Sequence, residues 1–233
     1  EDLSWQTELI RSSLAVRMSL EIREEFGRFD EQQLPVKKRL LNPAEILEIA
    51  AGIAENIQNK AIMSHKREPS WVTISPSEDE QQFYLDDMKF DVYQGNLGVG
   101  LFFAALEKLK PGNGYGDFVY STISMSRRWI ARARPLDIEI MGIGGLSGLG
   151  SVIYGLTSIS SILNDRHLLD DAIRCADLVT HKAIHEDNAL DILSGAAGML
   201  SALLALFRAT GDQKVLEKAS QCGDHLIEKR QDL

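Results

Sequence analysis

Cysteine is scarce in this chain, and long uninterrupted apolar stretches are lacking. Two cysteines among 233 residues, Cys175 and Cys222, are too few for a disulfide scaffold, so we expect a reducing, cytoplasmic environment. Glycine and serine interrupt every apolar run before the about 18–20 residues that a membrane span needs. No N-terminal stretch has the basic, apolar, small-residue order of a secretory signal. The sequence therefore predicts a protein without a transmembrane segment.

Positive charge is also limited. Twenty-five Lys and Arg residues against 34 Asp and Glu residues give a formal net charge of −9. A nucleic-acid-binding domain would carry a basic stripe, and a protein that docks on anionic lipid would carry a basic face, so neither partner is expected. A local arginine cluster is interpreted as a solvated outer face, with contact to an acidic peptide or a neighbouring domain as the alternative. It comprises Arg127, Arg128, Arg132 and Arg134.

Glycine, in contrast, recurs with a fixed period. Three Gly-x-x-Gly pairs begin at Gly95, Gly145 and Gly195, which are 50 residues apart in each case. Three such blocks are improbable by chance, so the sequence predicts an internal structural repeat. The second members of the pairs are Gly98, Gly148 and Gly198.

Each repeat is predicted to be a helical hairpin. The stretches 97–109 and 149–163 are apolar nearly all round, which is typical of a helix buried on most sides. More polar, amphipathic segments over 166–183 and 213–229 follow, and these predict outer helices. Gly211-Asp212 is expected to end one helix and begin the next. An inner helix that is apolar on all sides needs neighbours on both flanks, and a ring of hairpins would supply them.

The organisation before residue 91 is different. The pattern predicts a helix over 4–26, a linker over 34–41 and a helix that opens at Asn42-Pro43. Residues 71–74 and 82–85 have the composition of a small β-hairpin around a polar loop.

Three segments of the repeat resemble a known family. Asp91-Val-Tyr-Gln-Gly95, Gly145-Leu-Ser-Gly-Leu-Gly150 and Leu190-Asp-Ile-Leu-Ser-Gly195 resemble the glycine repeats of the lanthionine synthetase C-like cyclases. The similarity is closest to the N-terminal part of the C-terminal cyclase domain in bifunctional type 2 lanthipeptide (lantibiotic) synthetases. It divides the chain into residues 1–69, a helical linker region, and residues 70–233, the first three hairpins of the cyclase.

The resemblance implies an all-α fold, a partial double-layered α/α toroid with a small β-hairpin near 71–85. It implies a zinc-dependent reaction in which a cysteine thiol of a precursor peptide adds to dehydroalanine or dehydrobutyrine and closes a thioether ring. The implied partners are the precursor peptide, with its leader and dehydrated core, and an upstream dehydratase domain that uses ATP and Mg²⁺.

The sequence departs from that family in one respect. The family holds Zn²⁺ through cysteines and a histidine that include a Cys-His-Gly motif, and this chain contains no such motif. The resemblance therefore implies that the zinc ligands lie outside this chain, and we expect the chain alone to be inactive.

Asp191 is the one site residue that the resemblance supplies. The family places a functional aspartate four residues before the third glycine pair, and here that position is Asp191. The same position of the repeat holds Asp91 in the first copy and Met141 in the second, so the fold does not require a carboxylate there. Asp191 could orient a catalytic histidine or relay a proton to an enolate. The alternative is a turn or capping aspartate at a helix N-terminus.

Two histidine patterns are interpreted as structural. Cys222 and His225 have a spacing that can bind a metal, but a core cysteine beside a surface histidine is the preferred interpretation. His181 and His185 are spaced like the metal ligands of zinc proteases, but Lys182 stands where the general base would be, which favours a surface pair.

Two other functional classes stay open. A carbohydrate-active α/α barrel would use two carboxylates that face one sugar, and Asp91 and Asp191 occupy equivalent positions. A non-catalytic helical-repeat module that binds a peptide is the third possibility.

Overall fold

The computed structural model describes residues 40–76, 83–134, 137 and 141–230. The chain divides into two compact units, Glu1–Asn42 and Pro43–Leu233, and the architecture below is that of the second. The helix predicted over 4–26 and most of the linker predicted over 34–41 lie outside the described residues.

The second unit begins with a helix and two small antiparallel strand pairs. Helix α1 spans Pro43–Asn59, with proline in the first turn as predicted. Strand β1 (Ile62–Met63) pairs with β2 (Pro69–Ser70), and β3 (Val72–Pro76) pairs with β4 (Phe83–Asp87). The β3–β4 pair confirms the predicted hairpin. The β1–β2 pair was not predicted, because strands of two residues are too short to show an alternating pattern.

Three helical hairpins follow in sequence, and with α1 they give eight helices within the described residues. Each hairpin pairs a helix that starts at a glycine pair with one or two helices behind it. The helices are α2 (Asn96–Leu109) and α3 (Tyr115–Ile130), α4 (Leu149–Leu163) with α5 (His167–Asp177) and α6 (His181–His185), and α7 (Ala196–Thr210) and α8 (Gln213–Glu228). The prediction of an all-α fold with a small β-hairpin is confirmed.

The inner helices form the centre of the core. Helix α4 contacts α2 on one side and α7 on the other, and ten of its fifteen residues are buried. The outer helix α5 buries only one face, which includes Leu168, Ala172 and Cys175. The burial pattern thus matches the predicted inner and outer layers. Closure of these hairpins into a toroid stays a prediction.

Helix boundaries follow local capping chemistry. Gly211 ends α7 in the left-handed conformation (φ 72°), and the Asp212 side chain accepts a hydrogen bond from the Lys214 amide at 2.9 Å. The single helix predicted over 166–183 is wrong, because the structure divides it into α5 and α6. Thr180 causes the restart, since its side chain accepts from the Ala183 amide at 3.1 Å and caps α6.

No helix in the described part of the chain combines the length and the apolar character needed to cross a membrane.

Candidate functional site at the glycine loops

The glycine-marked ends of the three hairpins lie side by side. Each inner helix is preceded by a short segment that we call a glycine loop. Loop 1 is residues 91–95, loop 2 is residues 142–148 and loop 3 is residues 191–195. Each leads into the N-terminus of α2, α4 or α7, so this end of the inner layer presents one continuous face of loop backbone.

Backbone hydrogen bonds join the loops to one another. The Tyr93 amide of loop 1 donates to the Leu146 carbonyl of loop 2 at 3.3 Å. Loop 2 in turn donates three times to loop 3, through Gly145 to Ile192 (3.1 Å), Leu146 to Leu193 (3.1 Å) and Ser147 to Leu193 (3.0 Å). Loop 2 is therefore fixed to both neighbours, and the relative positions of the three loops are set by main-chain contacts.

Glycine at positions 145 and 198 permits this approach. A Cβ atom on Gly145 would lie 2.6 Å from the Gly198 Cα. A Cβ atom on Gly198 would overlap the Gly145 amide nitrogen and the Ile192 carbonyl oxygen. Because these neighbours are backbone atoms, a larger residue could be accommodated only by moving one loop away from the other.

Asp191 is exposed at the start of loop 3. One carboxylate oxygen, Oδ1, accepts hydrogen bonds from the amides of Ser194 (2.7 Å) and Gly195 (3.2 Å). The Asp191 carbonyl accepts from the Gly198 amide at 3.1 Å. The second oxygen, Oδ2, accepts no hydrogen bond from a described residue. Asp191 thus does shape the turn, as the capping interpretation requires, and it still offers one carboxylate oxygen to solvent.

Asp91, in the equivalent position of loop 1, has the same local role but a different environment. Its Oδ1 accepts from the Gln94 amide at 2.6 Å. Its side chain is only 7% exposed. The two aspartates therefore do not offer a pair of accessible carboxylates, which is what a carbohydrate-active site would need.

Asp187 is a positioning residue that the sequence reasoning missed. Its Oδ2 accepts from the amides of Leu190 (3.0 Å) and Ala196 (2.9 Å), and its Oδ1 accepts from the Ala189 amide at 3.3 Å. These bonds hold loop 3 on the first residue of α7. Asp187 lies outside the glycine motif, but an aspartate recurs eight residues before each glycine pair, at Asp87, Asp137 and Asp187, and this spacing was the available signal.

An apolar cavity of about 520 Å³ opens beside loop 1. Its wall comes from α1, β3, the first turns of α2 and the loop itself. The side chains include Ile53, Met88, Val92, Tyr93 and Phe102. Tyr93 belongs to loop 1, lines this cavity and is 64% exposed.

The family model for lanthionine synthetase C-like proteins matches residues 86–233. The chain belongs to this family. The matched segment starts at the end of β4 and contains all three glycine loops, so the part of the chain that carries the match is the part that builds the loop face. Membership indicates a lanthionine synthetase-like cyclase function. No curated protein matches the chain.

The glycine loops contain neither cysteine nor histidine, the residue types that the family resemblance implies as zinc ligands. Among the described residues, the one group of three side chains able to ligate a metal is His185, His225 and Glu228, which lies on α6 and α8. Both cysteines are fully buried on outer helices. Burial raises the pKa of the Cys222 thiol to about 12 and raises that of Cys175 further, so neither is a ready thiolate ligand.

The outer histidines correct one sequence-based interpretation. Cys222 is a core cysteine as expected, but His225 is 3% exposed and is not a surface residue. His181 and His185 are exposed and their rings stack at 5.9 Å, as a helix-end pair would. The arginine cluster is partly engaged, because Arg127 pairs with Asp171 at 2.5 Å and Arg128 pairs with Glu68.

Proposed function

We propose that this chain is the N-terminal part of a lanthionine-forming cyclase domain of the type 2 synthetase kind. In the reaction, the sulfur of a peptide cysteine adds to the β-carbon of dehydroalanine or dehydrobutyrine. The C=C electron pair moves to form an enolate, and a proton is delivered to the α-carbon, so the peptide mass does not change. The observation that carries the proposal is the family match over a segment whose three glycine loops meet at one face.

The proposal gives the loop face the task of binding the dehydrated peptide. Tyr93, Ile192 and Leu193 are exposed apolar side chains on loops 1 and 3, and they offer contact area to a peptide. The apolar cavity beside loop 1 would accept an apolar side chain of the same peptide. Zn²⁺, held by ligands outside this chain, would supply the thiolate when bound.

Asp191 is proposed to act at this face. Its Oδ1 is engaged by two loop amides, so the carboxylate is held in one orientation. Its Oδ2 is left to hydrogen-bond an acidic group, such as a histidine outside this chain, that protonates the enolate. The arrangement supports a role in orienting that acid or in relaying its proton.

The wider context is part of the same proposal. Residues 1–69 would link the cyclase to an upstream dehydratase that uses ATP and Mg²⁺, and residues 70–233 would be the first three hairpins of a cytoplasmic α/α toroid. The mostly helical fold and the sequential packing of α2, α4 and α7 support this assignment.

Ring formation tests the proposal through the number of free thiols. The protein encoded by the natural gene would be incubated with a peptide that contains cysteine and dehydroalanine, and the mixture would then be alkylated with N-ethylmaleimide. Each ring formed removes one alkylation adduct, which mass spectrometry counts against a sample without protein. Peptide that binds but keeps all its adducts would instead favour the non-catalytic peptide-binding module.

Asp191→Asn tests the site. Asparagine keeps an acceptor for the loop amides but removes the charge, so we expect normal folding and cyclisation slowed by about a hundredfold or more. Asp170→Asn is the matched control, since Asp170 is an exposed aspartate on outer helix α5. Near-normal ring formation by Asp191→Asn would contradict the role of Asp191.

A further inference from the structure

His185, His225 and Glu228 come together between two outer helices. His185 lies on α6, whereas His225 and Glu228 lie one turn apart on α8. One potential ligand atom from each side chain lies within 4.8 Å of the other two. The group borders a small cavity of about 240 Å³ whose wall also includes Asp224 and Gln221.

The chemistry of His225 is unusual for a structural histidine. Its ring is 3% exposed, and its Nε2 lies 2.9 Å from the Asp187 carbonyl oxygen. Because a carbonyl only accepts, Nε2 donates in this contact, and in the neutral ring the lone pair is then on Nδ1. That Nδ1 atom is buried and has no hydrogen-bond partner among the described residues. A buried acceptor without a partner destabilises the folded state, which indicates that a bound ligand contacts this nitrogen.

The hydrogen bond from His225 Nε2 to the Asp187 carbonyl is also typical of a histidine that binds a metal. Histidine ligands commonly donate their second ring N–H to a carbonyl or carboxylate, which fixes the tautomer and the ring orientation. The ring of His185 stands 5.8 Å from that of His225. His185 and Glu228 are exposed, so a metal ion could reach the group from solvent.

We propose that His185, His225 and Glu228 bind a divalent transition metal ion of the Zn²⁺ class. Two imidazoles and one carboxylate form a donor set typical of zinc, and three protein ligands leave a fourth position for water. The nearby carboxyl group of Asp224 adds negative charge that favours a cation.

The proposed site lies between α6 and α8, and Asp187 connects it to loop 3. The Asp187 carbonyl contacts His225, and the Asp187 carboxylate accepts hydrogen bonds from Leu190 and Ala196. Metal binding would therefore stabilise the position of α8 against the segment that carries loop 3. The inference does not depend on the proposed function, because binding can be measured without a peptide substrate.

The test uses the full chain and Zn²⁺ alone, in competition with a chromophoric chelator. We expect one ion per chain, and affinity reduced at least tenfold by Glu228→Gln or His185→Ala. Both substituted side chains are exposed, so the variants should fold. His167→Ala is the matched control, because His167 is an exposed histidine at the start of α5, and it should bind as the wild type does.

Two further readouts separate this site from other metal-binding groups. Co²⁺ should give the visible absorption of a four-coordinate site in the wild type, and this absorption should be lost in His185→Ala. Equal Zn²⁺ affinity in the wild type, Glu228→Gln and His185→Ala would overturn the proposal. Binding that is lost in Cys222→Ser but kept in both of those variants would overturn it as well.

Discussion

Gly198→Ala should separate loop 2 from loop 3. The new methyl group would overlap the Gly145 amide nitrogen and the Ile192 carbonyl oxygen, and neither backbone atom can rotate away. The three hydrogen bonds that loop 2 donates to loop 3 depend on this close approach. At about 0.5–1.5 kcal/mol each, the loss of all three predicts a decrease of about 1.5–4.5 kcal/mol in the free energy of unfolding.

Thermal unfolding followed by circular dichroism measures this effect. In a domain of this size 1 kcal/mol corresponds to about 2–4 °C, so the Tm of Gly198→Ala should fall by about 3–18 °C. Gly223→Ala is the matched control, because Gly223 lies within α8 and nothing lies within 4 Å of its added Cβ. Alanine in a helix interior is favoured by about 0.5–1 kcal/mol, so the Tm of this control should rise. A Gly198→Ala protein that melts at or above the wild-type temperature would refute the packing of the loops described above.

Two further predictions concern titratable groups. The Arg128 guanidinium hydrogen-bonds both oxygens of Glu68 and lowers the pKa of that carboxyl below 4.5. The ion pair therefore stabilises the fold above pH 4.5. This stabilisation is lost as the pH falls through the lowered pKa, because the carboxylate is then protonated. Glu68→Gln should therefore reduce the dependence of Tm on pH in the acid range, and a Tm–pH profile identical to that of the wild type would contradict the ion pair. Burial raises the pKa of Cys222 to about 12 and that of Cys175 further, so both thiols should react with a disulfide reagent at pH 8 only after denaturant is added. Rapid labelling of two thiols in the native protein would contradict the burial of both side chains.

The repeat and its two layers could be predicted from sequence because their signals are local. The glycine pairs mark the starts of α2, α4 and α7, and the nearly uniform apolar character of 149–163 predicts the burial of α4 on both flanks. The Gly211-Asp212 boundary was also predictable, since a left-handed glycine followed by a capping aspartate is a property of adjacent residues.

The parts that were missed depend on contacts between distant residues. The environment of His225 is set by a carbonyl 38 positions away in the chain, and no periodicity within α8 indicates it. Asp187 likewise acts through amides up to nine positions away. The division of 166–183 into α5 and α6 rests on one side-chain cap at Thr180, which competes with an otherwise continuous amphipathic pattern.

The candidate site was predictable only in part. The position of Asp191 comes from the resemblance, whereas the repeat alone shows that a carboxylate is optional there. The difference in exposure between Asp91 and Asp191 follows from how each loop packs, and it could not be derived from two identical positions in a motif.

The central claim is that the face built by the glycine loops binds the dehydrated peptide, and site-specific photo-crosslinking tests it most directly. A benzophenone amino acid would replace Tyr93 in loop 1, which is 64% exposed, or Ile227 on outer helix α8, which is 70% exposed and serves as the matched control. Illumination in the presence of the dehydrated precursor should crosslink the peptide at position 93 and not at position 227. Crosslinking at position 227 with none at position 93 would contradict the account.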